Sequence, residues 1–302
     1  SAPAHKIFTD KDTKKLSLSV FLLILHISSA IPDTPGNSRK FCNGLKYGPH
    51  LISSSYPDMK YFIYRIYQWL IGGPIFIVAT FITAVITAVG CLLGNAEFWG
   101  YYPPHIWSRF CCRLALVRVK VKGRENISTD TSYIFVANHQ GAFDIWAIYG
   151  YLDHNFKWLM KKPLEKIFMV GWACKKAKHI FVDDSNIRSI KQTIEEAEET
   201  LKDGMSLVIF PEGSRTWDGH MIPFKRGAFM LAGEFRLPVV PITIDGSFER
   251  MRRDTYNITP GEIVLTIHKP ITPGENGFNT KRLMADCREA INSALPSKYQ
   301  DA

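Results

Sequence analysis

The chain alternates between short apolar runs and longer amphipathic stretches, a pattern typical of an α/β protein. Runs rich in β-branched and aromatic residues predict buried strands at residues 115–121, 133–137, 156–160, 207–210, 239–243 and 263–268. Residues 185–202 predict an amphipathic helix with the apolar stripe Ile187, Ile190, Ile194, Ala197 and Leu201, and residues 283–295 predict a closing helix. We expect an α/β fold whose mostly parallel or mixed sheet is flanked by helices.

One long stretch is continuously apolar and does not alternate with polar residues. Residues 66–96 carry no charged side chain and residues 71–93 are nearly all apolar, which satisfies the roughly 20 residues that a bilayer-spanning helix needs. Aromatic side chains flank the stretch as they do at membrane interfaces: Tyr61, Tyr64, Tyr67 and Trp69 precede it, and Trp99, Tyr101 and Tyr102 follow it. We expect a membrane-embedded or interfacial helical segment, with a buried core helix as the alternative.

Glycines and a proline inside this stretch leave room for a break in the helix. They lie at Gly72-Gly73-Pro74 and at Gly90. The segment is therefore predicted either to span the bilayer or to form a bent pair of helices in one leaflet.

The first 58 residues have the layout of a signal peptide. A basic pair, Lys14-Lys15, precedes an apolar run at residues 16–30, and prolines follow it. We expect residues 1–58 to be an extension, signal-like or disordered, with little part in catalysis, and a membrane anchor is the alternative. The predicted organisation is this extension, a membrane segment at residues 59–108 and a catalytic domain at residues 109–302.

Composition narrows the class of partner. With 302 residues the chain can bury one large core or two small ones, and its net charge of +9 suits an anionic partner. We find no basic-aromatic nucleic-acid module, so a phosphorylated substrate or an acidic membrane is preferred to a nucleic acid. The six cysteines form no Cys-x-x-Cys pair and no His/Cys metal spacing, which favours a reducing compartment and predicts no metal site.

A basic run follows the apolar stretch. Six cations precede the first acid, Glu125: Arg109, Arg113, Arg118, Lys120, Lys122 and Arg124. Cations beside a membrane segment gain roughly 1 kcal/mol each near an anionic leaflet. The run therefore predicts that the catalytic domain lies on the cytoplasmic face of the membrane.

The candidate chemistry lies where two of the predicted strands end. His139 and Asp144 follow the strand at residues 133–137, and a helix is expected to begin just after them. Five residues turn about 140° beyond a full circle of helix, so the two side chains meet only across a turn, which Gly141 would ease. A carboxylate on one ring nitrogen would leave the other nitrogen free to take a proton from a hydroxyl. A histidine satisfied at a strand end and a helix-capping aspartate are the alternative.

A second stretch of the same kind follows about 70 residues later. The strand at residues 207–210 leads directly into residues 211–215, where Glu212 and Arg215 lie on the turn. Open α/β sheets bind ligands at such strand ends.

Together these stretches resemble the glycerolipid acyltransferases. The first motif of that family is matched by Asn138, His139 and Asp144, the third by residues 210–215 and the fourth by residues 240–242. The resemblance covers about residues 115–270, with the motifs in the family's order.

The resemblance implies transfer of a fatty acyl chain from a thioester, acyl-CoA or acyl-acyl carrier protein, to the free hydroxyl of 1-acylglycerol-3-phosphate, which yields phosphatidic acid. It assigns His139 as the general base, oriented by Asp144, and needs neither an acyl-enzyme nor a metal or redox cofactor. Residues implied or proposed to bind the acceptor are Glu212, Gly213, Ser214, Arg215, Lys161, Lys178, Lys225 and Arg226. Backbone amides near Gly213 are the expected oxyanion donors.

The second motif departs from the family pattern. It corresponds to residues 177–184 and usually closes on Asp-Arg, whereas here Asp184 stands in place of the arginine. Either another cation compensates (Lys175, Lys176, Lys178 or Arg188), or the acceptor is a different lyso-lipid, such as a hydroxylated acyl-amino-acid lipid. A catalytically silent membrane-binding protein is the alternative of another class, and the intact His139 and Asp144 argue against it.

Overall fold

Seven strands form one mixed sheet. The computed structural model describes residues 59–182, 187–202, 204–272 and 279–301. The strands are β1 (Val117–Lys122), β2 (Ile134–Ala137), β3 (Phe156–Lys161), β4 (Ile180–Val182), β5 (Ser206–Ile209), β6 (Val239–Asp245) and β7 (Gly261–Ile267). Their spatial order is β1-β7-β6-β2-β5-β3-β4, and every neighbouring pair is parallel except β6 and β7. The α/β prediction is confirmed, with β4 as a strand that the pattern did not predict.

Helices cover both faces of the sheet. They are α1 (Met59–Tyr67), α2 (Gly73–Leu93), α3 (Ala96–Leu114), α4 (Phe143–Tyr151), α5 (Val170–Lys176), α6 (Ile187–Lys202), α7 (Gly227–Glu234), α8 (Ser247–Arg250) and α9 (Thr280–Ser293). A first core lies between the sheet and α3 and α4. A second core lies on the other face, under α6, α7 and α9.

The predicted helix at residues 185–202 is present from Ile187 onward. Of its apolar stripe, Ile194, Ala197 and Leu201 pack in the second core. Residues 185 and 186 and the side chains of Ile187 and Ile190 lie outside the described part of the chain.

The centre of the sheet brings the two motif-bearing strands together. β2 pairs with β5 on one side and with β6 on the other, both in parallel, with Val136 opposite Ile209 and Ala137 opposite Ile242. Parallel strands end at the same edge, so the loops after β2 and β5 meet there. Ile134, Phe135, Val136 and Ala137 of β2 are fully buried, because helices cover both faces of this part of the sheet.

The apolar stretch forms a long helix along the catalytic domain. α1 and α2 are joined through one π-helical turn, Gln68–Gly72, and together they are long and apolar enough to cross a membrane by length and composition. One face packs inward, where Ala84 and Ala88 contact Ala173 of α5. The outer face exposes large apolar side chains: Ile75, Val78, Phe81, Ile82, Ile86, Val89, Leu92 and Leu93.

The helix continues through both positions, Gly72-Gly73-Pro74 and Gly90, at which the sequence left room for a break. The π turn leads into Pro74, which has no N–H to donate, and the helix continues. Gly90 is instead a packing site, since a Cβ there would lie 2.3 Å from the Trp99 ring. The chain reverses just after Gly94, where Asn95 caps α3 by accepting from the backbone N–H of Glu97 at 2.7 Å. A helix pair therefore forms, and the predicted boundary at residue 108 lies inside its second helix.

Polar side chains of the helical segment fasten it to the catalytic domain. Tyr64 and Tyr67 donate from their hydroxyls to the carbonyls of Ala115 (2.9 Å) and Leu114 (2.8 Å). They were predicted to lie at a membrane interface, but they anchor the helix to the protein. Tyr101, predicted to lie at the interface as well, is buried in the first core. Tyr61, Trp69 and Tyr102 remain exposed.

Candidate active site

The turn after β2 folds His139 onto Asp144. The distance from Nδ1 of His139 to Oδ2 of Asp144 is 2.7 Å, so the predicted pairing is present. Oδ2 also accepts from the backbone N–H groups of Gln140 (2.7 Å) and Gly141 (2.9 Å), and Asp144 is fully buried. Because a carboxylate oxygen can only accept, Nδ1 carries the proton in this contact and Nε2 is left as the basic nitrogen.

Gly141 is required for a different reason from the one the sequence suggested. Its φ is outside the left-handed region, so conformational freedom is not the cause. A Cβ at this position would lie 2.5 Å from Oγ and 2.6 Å from the carbonyl oxygen of Ser247. The loop after β2 approaches α8 so closely that only glycine fits.

The loop after β5 holds the backbone of His139. The N–H of His139 donates to Oε1 of Glu212 at 2.7 Å, and the N–H of Ile222 donates to Oε2 at 2.9 Å. The N–H of Thr216 donates to the carbonyl of His139 at 3.0 Å. Glu212 is buried, and this burial raises the pKa of Glu212 to about 8. Sequence analysis assigned Glu212 to the acceptor, whereas its carboxyl oxygens contact protein backbone and position His139.

Aromatic side chains support the imidazole ring. The ring of His139 stacks on Phe210, with centroids 4.0 Å apart and an interplanar angle of 10°, and Phe210 stacks in turn on Trp158 at 5.5 Å. The His139 side chain is only 14% exposed, and burial lowers the pKa of His139, although the hydrogen bond that Nδ1 donates to Asp144 opposes this shift. The ring is therefore largely neutral at pH 7 and able to accept a proton. Phe210 begins the third motif, but the sequence predicted no role for its side chain.

Asn138 fastens the same turn to β6. Its Nδ2 donates to the carbonyl of Ile244 at 2.9 Å, and its Oδ1 accepts from the N–H of Ile244 at 2.8 Å. The fully buried amide thereby extends the β2–β6 ladder by one residue. The motif turn is held from β5 and from β6.

Several of the predicted acceptor contacts lie at this edge of the sheet. Arg215 is 6% exposed, and burial lowers the pKa of Arg215 to about 10. The Lys225 side chain lies across Gly213, since a Cβ there would be 3.1 Å from Nζ. Lys161 ends β3, beside β5, and Arg226 is exposed at the start of α7.

Backbone amides near Gly213 are the expected oxyanion donors, and two of them differ in their hydrogen bonding. The N–H of Gly213 donates to the carbonyl of Phe210 at 3.0 Å, so it is already engaged. The next amide along the turn, that of Ser214, donates no hydrogen bond within the described residues.

Comparison with known proteins identifies an acyltransferase domain. The acyltransferase family model matches residues 118–245, which include both motif-bearing loops. The chain is 35% identical to the chloroplastic 1-acyl-sn-glycerol-3-phosphate acyltransferase of Arabidopsis thaliana, over 59% of this chain and 49% of that protein. Residues 118–245 therefore form an acyltransferase domain, and several relatives of the chain are 1-acyl-sn-glycerol-3-phosphate acyltransferases.

Longer matches agree with this assignment. A 1-acyl-sn-glycerol-3-phosphate acyltransferase of Chlamydomonas reinhardtii is 26% identical over 89% of this chain and 81% of its own length. The crystal structure of the 1-acyl-sn-glycerophosphate acyltransferase of Thermotoga maritima superposes with a TM-score of 0.64. That match has 26% identity and covers 77% of this chain and 93% of the Thermotoga chain. The chain spans about half the length of the chloroplastic relatives of Arabidopsis thaliana and Brassica napus. It is an O-acyltransferase.

One predicted contact of this acyltransferase, Lys178, lies elsewhere. Lys178 precedes β4, which runs parallel to β3, so it lies at the edge where these strands begin. His139, Glu212 and Arg215 follow strand ends at the opposite edge. Lys178 therefore does not reach the site. Lys175 forms an ion pair with Glu165, whereas Asp184 and the side chain of Arg188 lie outside the described residues.

Sequence analysis missed a cation that the fold brings to the site. Nη1 of Arg253 donates to the carbonyl of Arg215 at 3.0 Å, and its guanidinium lies 4.1 Å from the centroid of the Trp217 ring. Positive charge on Arg253, like that on Arg215, helps to lower the pKa of His139, so both cations act on the ring. The only signal in the sequence is the cluster Arg250, Arg252 and Arg253 after β6.

Half of the cations in the basic run form ion pairs within the protein, which the sequence did not indicate. Arg109 and Arg124 both pair with Asp153, at 2.7 and 2.8 Å, and Lys120 pairs with Glu262 at 2.8 Å. Three of its six cations therefore face a carboxylate of the same protein. In the described ranges, no group of three or more His, Cys, Asp or Glu side chains could hold a metal ion.

Proposed function

We propose that this acyltransferase moves a fatty acyl chain from acyl-CoA or acyl-acyl carrier protein to the free hydroxyl of 1-acylglycerol-3-phosphate, giving phosphatidic acid. The observation that carries the proposal is the His139–Asp144 pair, in which Nδ1 is engaged by Oδ2 at 2.7 Å and Nε2 is left as the base. The relatives named for this acceptor support the choice of lysophosphatidate.

The acceptor oxygen itself attacks the thioester. Nε2 of His139 takes the hydroxyl proton as the oxygen bonds to the carbonyl carbon, and Asp144 stabilises the imidazolium that forms. The tetrahedral intermediate then collapses, the carbon–sulfur bond breaks, and the leaving thiolate takes the proton back from Nε2. The amide of Ser214 is the candidate donor to the oxyanion. The neutral base is regenerated without an acyl-enzyme.

Cations around His139 suit the phosphate of the acceptor. The guanidinium of Arg253 donates a hydrogen bond to the backbone carbonyl of Arg215. Lys225, on the same loop as Arg215, lies across Gly213. Guanidinium groups match phosphate oxygens in geometry and charge. We propose that Arg253 supplies the contact that an arginine at position 184 makes in the family pattern.

An apolar cavity and the exposed helical face suit a lipid substrate. The cavity lies between the helical segment and α4, with Phe76, Trp146 and Met251 in its wall. The apolar outer face of α1 and α2 would lie in a membrane leaflet. Because the segment is fastened along the catalytic domain by Tyr64 and Tyr67, the one-leaflet arrangement is favoured over a span. The cytoplasmic orientation stays a prediction.

A second acceptor is favoured by one feature, the aspartate at position 184. The same base and loop would acylate another lyso-lipid whose polar end needs no cation there.

The test is a panel of acceptors and donors with purified protein in lipid nanodiscs. Lysophosphatidate, other lysophospholipids and a hydroxylated acyl-amino-acid lipid are each combined with acyl-CoA or acyl-acyl carrier protein, and products are identified by mass spectrometry. We expect phosphatidate as the main product. A different main product would support the second acceptor, and no acyl transfer at all would support the silent binding protein.

A further inference from the structure

Lys157 is a buried cation whose ammonium has no hydrogen-bond partner in the described part of the chain. Its side chain is 3% exposed, and Nζ makes no hydrogen bond among the described residues. Phe156 and Trp158, its neighbours on β3, point into the first core, so Lys157 points to the other face. A buried ammonium is stable only when an opposite charge or hydrogen-bond acceptors surround it.

The ammonium lines a pocket remote from the catalytic base. The pocket, of about 140 Å³, lies where β3, β4 and β5 begin, whereas His139 lies where β2 ends, at the opposite edge of the sheet. Its wall consists of Lys157, Lys178, Asn95, Ala96, Glu97, Thr200 and Met205. The pocket therefore is not part of the acyl-transfer site.

The charges of the pocket favour an anion. Lys157 and Lys178 both line it, and the 19-residue helix α3 begins there, so its positive dipole end faces the same space. Glu97 is the opposing charge, but its side chain is exposed and forms no ion pair with Lys157. The pocket therefore has two ammonium groups and the positive end of a helix dipole, opposed by one solvent-exposed carboxylate.

We propose that this pocket binds a phosphate group, held by Lys157 and Lys178 at the start of α3. The phosphate would lie between the two ammonium groups and satisfy Nζ of Lys157. Its source is either free phosphate or the headgroup of an anionic lipid. The second source fits the position, because the exposed apolar side chains of Leu92 and Leu93 end α2 shortly before Asn95, which lines the pocket.

The experiment uses the full chain in an Arg215→Gln background, which weakens phosphate binding at the catalytic edge. Inorganic phosphate is titrated against the detergent-solubilised protein, and phosphatidylglycerol is titrated in nanodiscs of phosphatidylcholine. Thermal unfolding and native mass spectrometry report binding. The variants are Lys157→Met and Lys178→Gln, with Lys281→Gln, an exposed lysine on α9, as the charge-matched control.

The expected results separate a site from a merely structural lysine. Without ligand, Lys157→Met should unfold at a higher temperature than its parent, because an unpaired buried charge is removed. At saturating ligand the parent and Lys281→Gln should gain thermal stability, whereas Lys157→Met should gain none. Lys178→Gln should bind roughly tenfold more weakly. Binding of both probes indicates that phosphate alone suffices, and binding of the lipid alone indicates a headgroup site.

Two results would overturn the proposal. One is that neither probe binds the parent protein. The other is that Lys157→Met binds phosphate or phosphatidylglycerol as tightly as the parent does.

Discussion

The backbone N–H of His139 donates to Oε1 of Glu212 across 2.7 Å, which joins the loop after β2 to the loop after β5. The second oxygen of Glu212 accepts from Ile222 at 2.9 Å. One carboxyl group therefore fixes the backbone of the base and the far end of the β5 loop. The role of Glu212 is to position His139.

Replacing Glu212 with glutamine should destabilise this junction. The amide oxygen can accept from one backbone N–H, but the amide nitrogen cannot accept from the other. A buried unsatisfied donor costs about 1–3 kcal/mol, so we expect the free energy of unfolding to fall by that amount. Urea unfolding at about pH 5, where the pH-dependent component described below is still small, measures it, with Glu234→Gln, an exposed carboxylate on α7, as the control. Equal stability of the two variants would argue against the positioning role.

The same carboxyl group predicts a pH dependence of stability. Burial raises the pKa of Glu212 to about 8, whereas a glutamate in an unfolded chain titrates near about 4.3. Between these values the folded protein holds a proton that the unfolded chain has lost, so this group's contribution to stability falls as pH rises and levels off above about pH 8. Glu212→Gln should lack this component. Unfolding curves measured from about pH 5 to 9 on both proteins test it, and parallel curves would contradict the raised pKa.

The turn after β2 shows which parts of the site can be predicted from the sequence and which cannot. The apolar runs marked the strands that bear the motifs, and the five-residue spacing predicted the pairing of His139 with Asp144. Other roles depend on which strands are neighbours. Glu212 meets His139 because β2 and β5 pair, and the sequence does not contain that adjacency.

The errors have a related physical cause. Lys178 was assigned to the site because it lies in a motif, but a residue before a parallel strand lies at the opposite edge from residues after one. Arg253 was missed because its approach depends on the path of the loop between β6 and β7. Gly90 left room for a break in the prediction, since composition does not distinguish a flexible glycine from one that packs against the Trp99 ring.

Asp144→Asn should be severely impaired. An asparagine amide facing Nδ1 would favour the wrong tautomer of His139, and the imidazolium would lose its counter-charge. Loss of this function in comparable triads costs up to about 10⁴-fold in kcat. Steady-state rates of acyl transfer measure it, with native circular dichroism as the folding control. A rate within about threefold of wild type would contradict the orienting role.

Phe210→Leu should remove the aromatic support of the base. Stacking contributes about 0.5–1.5 kcal/mol beyond area burial, so we expect kcat to fall about 2- to 12-fold with little change in KM. Phe235→Leu, a partly buried phenylalanine packed in the second core, is the matched control. A larger loss in the control than in Phe210→Leu would indicate a general packing effect.

Arg253→Gln tests the compensating cation. If Arg253 binds the acceptor phosphate, loss of a charge-assisted contact of about 1.5–3 kcal/mol should raise KM for lysophosphatidate roughly tenfold or more. KM for the thioester donor should change little. Arg252→Gln, whose exposed guanidinium lies 4.9 Å from the Phe248 ring centroid, should behave as wild type. Equal effects of the two variants would assign the phosphate contact to another residue.

The most direct test of the central claim is the rate of phosphatidate formation by His139→Ala, measured against wild type with lysophosphatidate and acyl-CoA or acyl-acyl carrier protein. Loss of a general base costs about 10²–10⁴-fold, and a mutant that remains folded and keeps its apolar helical segment isolates this effect. We predict phosphatidate from the wild-type protein and a loss of at least about 100-fold in the variant. Phosphatidate formation by His139→Ala at the wild-type rate would contradict the account.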